Sequence, residues 1–500
     1  MLSKIKSCTL LGIEAIPIDV EVDAKRGMPG EYIVGLPDTV VRESKTRIKA
    51  ALKNSGFEYP VKQYTINLAP ADLPKEGAYF DLAIALGMLS VNQYVSFTDD
   101  CVVVGELSLD GSLKPVKGIL SICDMIAKSN CKKLILPKDN LDEAAMISSI
   151  ELFPISHLKE LMTLDLNSPK QYTSNLEREN GYKQGDYSEV KGQDFAKKAL
   201  QIAAAGRHNC LLIGPPGSGK SMLIKRLPSI LPELSDEQAI ETHKLYSITT
   251  SHRGKTLSKA APFRQPHHSI SYAGLVGGGS KPIPGEISLA HNGILFLDEL
   301  PEFNRQVLEV MRQPLESGDI VISRASQSVQ FPANFMLLAA MNPCPCGYYG
   351  DSSQKCHCSD TNMQRYIKKI SGPILDRIDI VIEVPRLKKD DFKQDESKVN
   401  SAIMKKRVLD CIKIQHKRHN KCIRNAELSP KEVMTHIQLN AQQKHFLGSC
   451  VEKGILTGRS YDKVIKIART IADIEGSASI NDQHLSEAIQ FRRHSLHQGL

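Results

Sequence analysis

Hydrophobic residues follow three different spacings along the chain. Residues 1–165 alternate short apolar runs with segments of helical spacing, whereas residues 190–385 contain apolar runs short enough for buried strands. In residues 386–500 the apolar positions repeat at helical spacing, and residues 166–189 are polar and poor in aliphatic side chains, as is typical of a linker. The pattern predicts an α+β domain, a linker, an α/β domain and a C-terminal helical domain, in that order.

The first of these regions contains clear local signals. Asp38 can open a helix, because apolar residues recur after it at near-helical spacing. The other elements predicted here are two strands, a hairpin with an Asp-Gly turn and a second helix, at residues 66–68, 102–104, 107–113 and 119–127. No metal-ligand spacing and no nucleophile pair can be identified in this region from pattern alone.

A phosphate-binding loop is predicted at the start of the α/β region. Its residues fit the pattern G-x-x-x-x-G-K-[ST] and are Gly214, Pro215, Pro216, Gly217, Ser218, Gly219, Lys220 and Ser221. An apolar strand leads in and a helical run leads out, so backbone N–H groups can turn inward around an anion. Lys220 would reach the β- and γ-phosphates of ATP, and the Ser221 hydroxyl would bind Mg²⁺. A Gly/Pro turn before an ordinary helix is the alternative interpretation.

Two later strands also end in polar residues, which argues against that alternative. The apolar run 294–297 is followed by Asp298 and Glu299, and the run 335–340 is followed by Asn342. Asp298 can hold Mg²⁺, Glu299 can take a proton from water, and Asn342 can orient that water. Three polar strand ends in chain order predict a nucleotide-hydrolysing site.

The overall composition narrows the setting in which this site works. Charged residues make up 24% of the chain and hydrophobic residues 41%, and no run approaches the eighteen apolar residues of a membrane span. With no signal-peptide pattern either, we expect a cytoplasmic protein without a membrane partner, whose twelve cysteines are reduced thiols. A net charge of +8 and a pI near 8.7 favour polyanionic partners such as nucleic acid, although solvated lysines give the same balance.

Four cysteines are clustered directly after Asn342. They are Cys344, Cys346, Cys356 and Cys358. Four thiolates can bind tetrahedral Zn²⁺, but the C-x-C spacing is tighter than the usual C-x₂₋₄-C. Zinc and reduced thiols in a loop both remain open.

Two segments of the α/β region carry positive charge on turns. More than seventy residues separate the phosphate loop from Asp298, and they include Arg264, two adjacent histidines, a glycine-rich stretch and Lys281. Adjacent histidines make a poor metal pair, so a mobile structural or ligand-contacting loop is predicted. Residues 320–331 predict a hairpin with a small, basic tip at Arg324, and an ordinary edge hairpin is the alternative.

Arg377 stands between two aspartates, just before a predicted strand. It could form a simple surface ion pair, or it could be the charge that completes a neighbouring subunit's site.

Long motifs in the chain resemble the ComM/YifB family of magnesium-chelatase-like AAA+ ATPases. They lie at residues 35–38, 67–72, 105–111, 192–193, 263–268, 284–290, 295–300, 342–347, 375–379 and 468–473. The resemblance implies a P-loop AAA+ module with a parallel sheet and an insert in helix 2, followed by a helical lid and working as a hexameric ring. It also implies that Asn342 is the sensor residue, Arg377 the arginine finger acting in trans, and Arg459 the lid arginine.

The same resemblance implies a partner and a process. The insert and the hairpin match elements that grip nucleic acid in related motors, which makes Arg264, Lys281 and Arg324 candidates for DNA contact. ComM proteins are similar in role to branch-migration helicases that act during natural transformation, so branched single- and double-stranded DNA and proteins of recombination are the expected partners. A chelatase-type remodelling ATPase that acts on a metal-insertion or protein partner is the alternative, and it would need a porphyrin-binding subunit.

The N-terminal region resembles the proteolytic domain of Lon proteases, which has a ribosomal S5 domain 2-like α+β fold. In the matching run, residues 74–81, Tyr79 stands where Lon has its serine. The run 117–122 lacks the lysine that would be the general base. Because a Ser–Lys dyad needs both partners, we expect this domain to be proteolytically inactive.

Overall fold

The computed structural model describes residues 2–95, 97, 100–170, 172, 185–249, 258–279, 282–323, 328–351, 353–370, 372–387 and 399–492. The chain forms two compact units, Met1–Glu179 with Asp236–Ser258 and Asn180–Ser235 with Lys259–Leu500. The strands are β1 (Leu2–Leu11), β2 (Glu14–Lys25), β3 (Gly30–Val34), β4 (Gln63–Ala69), β5 (Cys101–Val103), β6 (Glu106–Leu107), β7 (Leu113–Lys114), β8 (Lys133–Pro137), β9 (Glu151–Ile155), β10 (Cys210–Ile213), β11 (Phe263–Arg264), β12 (Gly277–Gly278), β13 (Ile283–Pro284), β14 (Ile294–Leu297), β15 (Asp319–Ser323), β16 (Ser328–Pro332), β17 (Met336–Met341) and β18 (Ile380–Glu383). The helices are α1 (Thr39–Asn54), α2 (Asp81–Val91), α3 (Ile119–Lys128), α4 (Leu141–Ala144), α5 (Asp194–Gly206), α6 (Lys220–Lys225), α7 (Asp236–Ser247), α8 (Tyr272–Val276), α9 (Glu286–Leu289), α10 (Arg305–Val310), α11 (Arg312–Ser317), α12 (Asp360–Ile367), α13 (Gly372–Leu375), α14 (Ser401–His419), α15 (Pro430–His436), α16 (Ala441–Glu452), α17 (Gly458–Ile474) and α18 (Asp482–Gln490).

The first unit is built on a mixed sheet of seven strands. Their order is β3-β4-β2-β1-β5-β8-β9, with β2 antiparallel to both β1 and β4 and the other pairs parallel. Helix α2 is apolar on all sides and packs against β1 and β2, which explains why nearly all of its residues are buried. The unit is therefore an α+β domain, and its buried hydrophobic residues form two clusters.

Local elements of the first unit were predictable from sequence. Asp38 caps α1 by accepting the N–H of Val41 at 2.8 Å, and Val41, Ile48 and Leu52 are buried. Strands β4 and β5, the hairpin β6–β7 and helix α3 lie where the pattern predicts them. These predictions are confirmed.

The second unit contains a parallel sheet of five strands in the order β11-β14-β17-β10-β18. All residues of β10, β14 and β17 are buried, which matches their uninterrupted apolar sequences. Of the five strands of this sheet, β10 comes first in the sequence, and it lies between the last two, β17 and β18. Because parallel α/β sheets bind ligands at the carboxyl edge where the strand order reverses, the end of β10 is the expected binding position.

The C-terminal part of the second unit consists of helices α14 to α18. Helix α17 packs against α5, α14 and α18 through an apolar face. Within the described ranges, no helix combines the length and apolar character needed to cross a bilayer.

The division into units differs from the predicted boundaries in two places. Helix α7 belongs to the first unit, where it contacts α3 and where Lys244 pairs with Asp124 at 2.6 Å. Tyr187, inside the predicted linker, is fully buried in the second unit, and its hydroxyl donates to the carbonyl of Leu223 at 2.9 Å. Asp186 and Glu189, on either side of it, also contact the second unit, through Ser401 and Arg226. Most of the remaining linker, residues 171 and 173–184, lies outside the described residues.

The glycine-rich stretch of the insert is ordered secondary structure, contrary to the predicted mobile loop. Ser271 caps helix α8, whose Leu275 and Val276 are buried, and β12 then pairs with β13. Gly277 has φ +104°, and a Cβ there would lie 2.3 Å from the carbonyl oxygen of Ile283. Glycine is therefore needed for close backbone packing at this position and not for mobility.

Candidate functional site

The phosphate loop begins where β10 ends, at the carboxyl edge of the parallel sheet. Gly214 packs closely against Val384, the residue that follows β18, since a Cβ at position 214 would lie 2.2 Å from the carbonyl oxygen of Val384. Gly217 and Gly219 have φ of +76° and +93°, a conformation that favours glycine. Helix α6 then begins at Lys220, so the loop turns the chain back over the end of the sheet.

Lys220 is buried inside this loop. Its Nζ donates to the carbonyl oxygens of Gly214 and Pro215, at 2.7 and 2.9 Å, and to Oδ1 of Asn342 at 3.3 Å. Burial lowers the pKa of Lys220 to about 8, against the opposing effect of the Asp298 and Glu299 carboxylates. A polyanion at this point would supply the negative charge that the buried ammonium lacks.

Ser221 and Asp298 provide a pair of oxygen ligands for a hard cation. The Ser221 hydroxyl donates to Oδ2 of Asp298 at 2.7 Å, and Asp298 follows directly on β14. Among the described residues, the buried Ser218 hydroxyl has no hydrogen-bond partner, although buried polar groups normally have one. The oxygens of Ser221 and Asp298 suit Mg²⁺ as ligands. The Ser218 hydroxyl and the Lys220 ammonium lie beside them and suit a phosphate chain.

Glu299 stands at the mouth of the site with a strained backbone. Its φ is +54°, and 59% of its side chain is exposed. Nδ1 of His268 lies 3.5 Å from its carboxylate. Sequence reasoning assigned no catalytic role to His268, and only the sheet order, in which β11 neighbours β14, shows that the residues after β11 lie beside Glu299.

The structure thus brings together the polar ends of three neighbouring strands. Strands β14, β17 and β10 are adjacent and parallel, so Asp298, Asn342 and the phosphate loop share one edge of the sheet. Lys220 and Ser221 contact Asn342 and Asp298 directly. This arrangement can bind a nucleoside triphosphate with its metal and present a carboxylate to water.

Arg377 and Arg459 lie at the opposite edge of the sheet. Arg377 precedes β18, and the first residue of β18, Ile380, pairs with the first residue of β10, Cys210. Just before these strands begin, the Asp379 carboxylate accepts the N–H of Asn209 at 3.0 Å. The phosphate loop starts five residues after Asn209, or roughly 16 Å at 3.3 Å per strand residue. Arg377 therefore does not reach the loop of its own chain.

Three arginines gather at this second edge. Arg377 pairs with Glu316 and donates to the carbonyl of Pro373 at 3.0 Å, and Arg459 pairs with Asp376 at 2.8 Å. Burial lowers the pKa of the Arg377 guanidinium, and the positive charges of Arg459 and Arg312 lower it further. Arg312 was not singled out in the sequence, since nothing in its local pattern separates it from a surface arginine.

Comparison with known proteins gives matches over almost the whole chain. Three family models match, described as "Subunit ChlI of Mg-chelatase" at residues 20–140, "Magnesium chelatase, subunit ChlI" at residues 186–392 and "Magnesium chelatase, subunit ChlI C-terminal" at residues 398–492. Competence protein ComM of Haemophilus influenzae is 42% identical over 494 residues, covering 96% of each chain. The protein YifB of Escherichia coli is 43% identical over 503 residues, covering 98% of this chain and 97% of its own. This chain belongs to the ComM/YifB family of magnesium-chelatase-like proteins.

Membership of the ComM/YifB family confirms the predicted fold class. The parallel sheet with its phosphate loop is the AAA+ module, and the helices after β18 form the C-terminal lid. A Lon protease of Trichlorobacter lovleyi is 24% identical over 170 residues, which cover 32% of this chain and 21% of the relative. That similarity agrees with a Lon-like α+β domain before the AAA+ module. ATP binding with Mg²⁺ follows from the family and fits the residues at the carboxyl edge.

The residues proposed for DNA contact in this ComM/YifB chain are placed only in part. Arg264 forms a bidentate ion pair with Glu286, at 2.6 and 2.5 Å, so its charge is already balanced within the chain. The assignment of Arg264 as a DNA contact stays a prediction, and this ion pair is the interaction with which DNA would have to compete. Lys281 and Arg324 lie outside the described residues, although the hairpin β15–β16 that flanks Arg324 has the predicted pairing.

The four cysteines of the cluster lie together. Their Sγ atoms are all within 4.8 Å of one another, and Cys344 is buried. They follow β17 in the polar turn that leads away from Asn342. The fold therefore collects in one place the four thiols that the sequence only lists in order.

Proposed function

We propose that this chain is an ATP-driven hexameric DNA motor. It would promote branch migration, extending heteroduplex as single-stranded DNA is integrated during natural transformation and recombination. The observation that carries this proposal is the similarity over 96% of both chains to a protein named for competence. The nucleotide site supplies the energy source that such a motor needs.

The residues at the carboxyl edge divide the hydrolytic work among themselves. Lys220 would bind the β- and γ-phosphates, and Ser221 with Asp298 would hold Mg²⁺, which when bound neutralises phosphate charge. Glu299 would accept the proton of the attacking water, and the Asn342 amide would orient that water. The products are ADP and inorganic phosphate.

The position of Arg377 supports a ring. A charge that stabilises the transferring phosphoryl group is needed, and on its own chain Arg377 lies at the wrong edge of the sheet. In a head-to-tail ring the carboxyl edge of one subunit can meet the opposite edge of the next, which brings Arg377 of the partner subunit to the nucleotide. The neighbouring positive charges of Arg459 and Arg312 favour the approach of an anion at this edge.

The proposed DNA-facing surface is argued from charge and from resemblance to related motors. The net charge of +8 favours a polyanion, and the insert and hairpin are the elements that resemble nucleic-acid-gripping parts of related motors. Branched DNA, recombination proteins and a cytoplasmic location remain proposals of the same kind. The proteolytic inactivity of the first unit also remains a prediction.

A chelatase-type remodelling ATPase is the second candidate. It is favoured by one observation, the match of three magnesium-chelatase models along the chain. Such a motor would use the same ATPase core and act on a metal-insertion or protein partner.

Branch migration on a three-stranded DNA junction separates the two candidates. The full chain with ATP should convert the junction and should hydrolyse ATP faster with DNA than with porphyrin or unfolded protein. Lys220→Ala is the control and should do neither, because it lacks the phosphate-binding ammonium. Robust ATP hydrolysis without any junction conversion would reject the DNA motor in favour of the chelatase-type alternative.

A further inference from the structure

The thiols of Cys344, Cys346, Cys356 and Cys358 are spaced as metal ligands. The Sγ atoms of Cys344 and Cys346 are 3.3 Å apart, those of Cys346 and Cys356 3.5 Å, and those of Cys344 and Cys356 3.7 Å. Four sulfurs at about 2.3 Å from a tetrahedral Zn²⁺ would be about 3.8 Å from one another. A disulfide requires about 2.05 Å, so the observed spacing fits a shared ion and not a bridge.

Backbone donors already point at these sulfurs. The N–H of Tyr349 donates to Sγ of Cys344, and the N–H of Cys358 donates to Sγ of Cys356, each at 3.4 Å. Such bonds hold a sulfur in place, as the groups around the ligands of a metal site do. Tetrahedral sets of four sulfurs select Zn²⁺ among the common ions, with iron as the main competitor.

The turn inside this cluster touches the nucleotide site. Gly347 has φ +87°, and a Cβ there would lie 2.6 Å from Cδ of Pro216 in the phosphate loop and 3.9 Å from Cγ of Asn342. Asn342, two residues before Cys344, in turn accepts a hydrogen bond from Lys220. Whatever fixes the cysteine turn therefore also fixes one wall of the phosphate loop.

We propose that the four cysteines bind one Zn²⁺ as thiolates and that this zinc turn positions Pro216 and Asn342 at the nucleotide site. The metal acts through packing, since no open coordination position remains once four sulfurs are bound. Its effect on hydrolysis rests on the proposed ATPase function, whereas zinc binding itself does not.

Metal content tests the first half of the proposal. The full chain, purified under reducing conditions and desalted after exposure to ZnCl₂, should hold about one zinc per chain by mass spectrometry of its metals. Cys356→Ser/Cys358→Ser should lose it, while Cys422→Ser, which removes an exposed cysteine outside the cluster, should keep it. Cobalt substitution should give the visible spectrum of a tetrahedral thiolate site in the wild type and in Cys422→Ser only.

Three results would overturn the zinc site. They are a wild type with well under one zinc per chain, iron in place of zinc, and a double serine variant that keeps its zinc. None of them depends on ATP hydrolysis, so a chain without ATPase activity would contradict the proposed function and leave this test intact.

Two glycine variants test the positioning role. Gly347→Ala keeps all four cysteines, but its new Cβ collides with Pro216. Gly350→Ala is the control, because it places alanine at a similar positive φ, +77°, with nothing within 4 Å of the new Cβ. Both should retain zinc. Gly347→Ala should weaken ATP binding and lower turnover by about 10²-fold, because a displacement of about 1 Å near a reacting group costs that much. Equal turnover in the two variants would overturn the positioning role.

Discussion

Replacement of Arg377 by alanine should nearly abolish ATP hydrolysis and leave nucleotide binding intact. The guanidinium is at the edge of the sheet away from the phosphate loop of its own chain. It therefore contributes nothing to that chain's ATP affinity. Its proposed role is to stabilise charge in the site of a neighbouring subunit.

The size of the effect follows from the position of the residue. An arginine finger is worth about 10³ to 10⁵ in rate, or roughly 4 to 7 kcal/mol of transition-state stabilisation. The structural cost of the substitution is small by comparison. Glu316, the partner that is left behind, is 54% exposed and can be hydrated, whereas Arg377 is 18% exposed, so loss of the pair should cost about 1 to 2 kcal/mol.

The assay compares steady-state ATP turnover with the affinity for a fluorescent ATP analogue. Arg305→Ala is a matched control, because it removes an exposed arginine that pairs with Glu309 on the same helix. We expect turnover in Arg377→Ala to fall at least about 10³-fold with an analogue Kd within about twofold of wild type. Arg305→Ala should change neither quantity.

Mixed rings then distinguish action in trans from action in cis. Lys220→Ala lacks nucleotide binding but keeps Arg377, and Arg377→Ala has the converse defect. When equal amounts of the two inactive variants assemble at random in a head-to-tail ring, about a quarter of the interfaces join an intact site to an intact arginine. Turnover should recover to about that fraction. Undiminished hydrolysis in Arg377→Ala alone, or no recovery on mixing, would refute the reasoning.

Three further predictions concern other parts of the chain. Arg264→Gln and Glu286→Gln should destabilise the protein equally, with a coupling energy of about 1 kcal/mol in a double-mutant cycle by urea unfolding. Loss of DNA affinity in Arg264→Gln but not in Glu286→Gln would instead support Arg264 as a DNA contact. Gly277→Ala should lower the free energy of unfolding by about 1 to 3 kcal/mol, because the position has a positive φ and faces the carbonyl of Ile283. Gly448→Ala, in helix α16, should be neutral or stabilising, and equal effects of the two substitutions would contradict the packing argument. Burial raises the pKa of Glu143 to about 7, so the folded state binds its proton more tightly than the unfolded chain and stability falls as pH rises from about 4.5 to about 7. Glu143→Gln should therefore be more stable than wild type at pH 8, by up to about 3 kcal/mol, and equal to it near pH 4, and a pH-independent difference would show that the carboxyl is not the cause.

Much of the second unit could be predicted because β10, β14 and β17 are short, fully apolar runs, and polar residues follow β14 and β17. In a parallel sheet with both faces covered, burial requires such runs, and catalytic groups can only occur where they end. The sequence therefore located the phosphate loop, Asp298, Glu299 and Asn342 without knowledge of the strand order. The loop's glycines were also readable, since Gly217 and Gly219 adopt the positive φ that the motif needs.

Contacts between segments distant in sequence could not be predicted in this way. The ion pair of Arg264 with Glu286 and the approach of His268 to Glu299 depend on which strands are neighbours. Periodicity reports the face of an element and not its partner. For the same reason, α7 follows the phosphate loop in sequence but packs in the first unit.

In the proposed ring, the two edges of the parallel sheet would supply different groups to one shared site. The carboxyl edge holds the groups that can bind a triphosphate, together with Glu299, whose exposed carboxylate lies 3.5 Å from Nδ1 of His268. The opposite edge holds three arginines, and burial, followed by the positive charges of Arg459 and Arg312, lowers the pKa of Arg377. Arg377 and Arg459 are held at this edge by Glu316 and Asp376, so both guanidinium groups are placed away from the phosphate loop of their own chain. In the proposed ring such a group would act on the phosphoryl group as it is transferred, which is why its removal should lower turnover and leave the analogue Kd nearly unchanged.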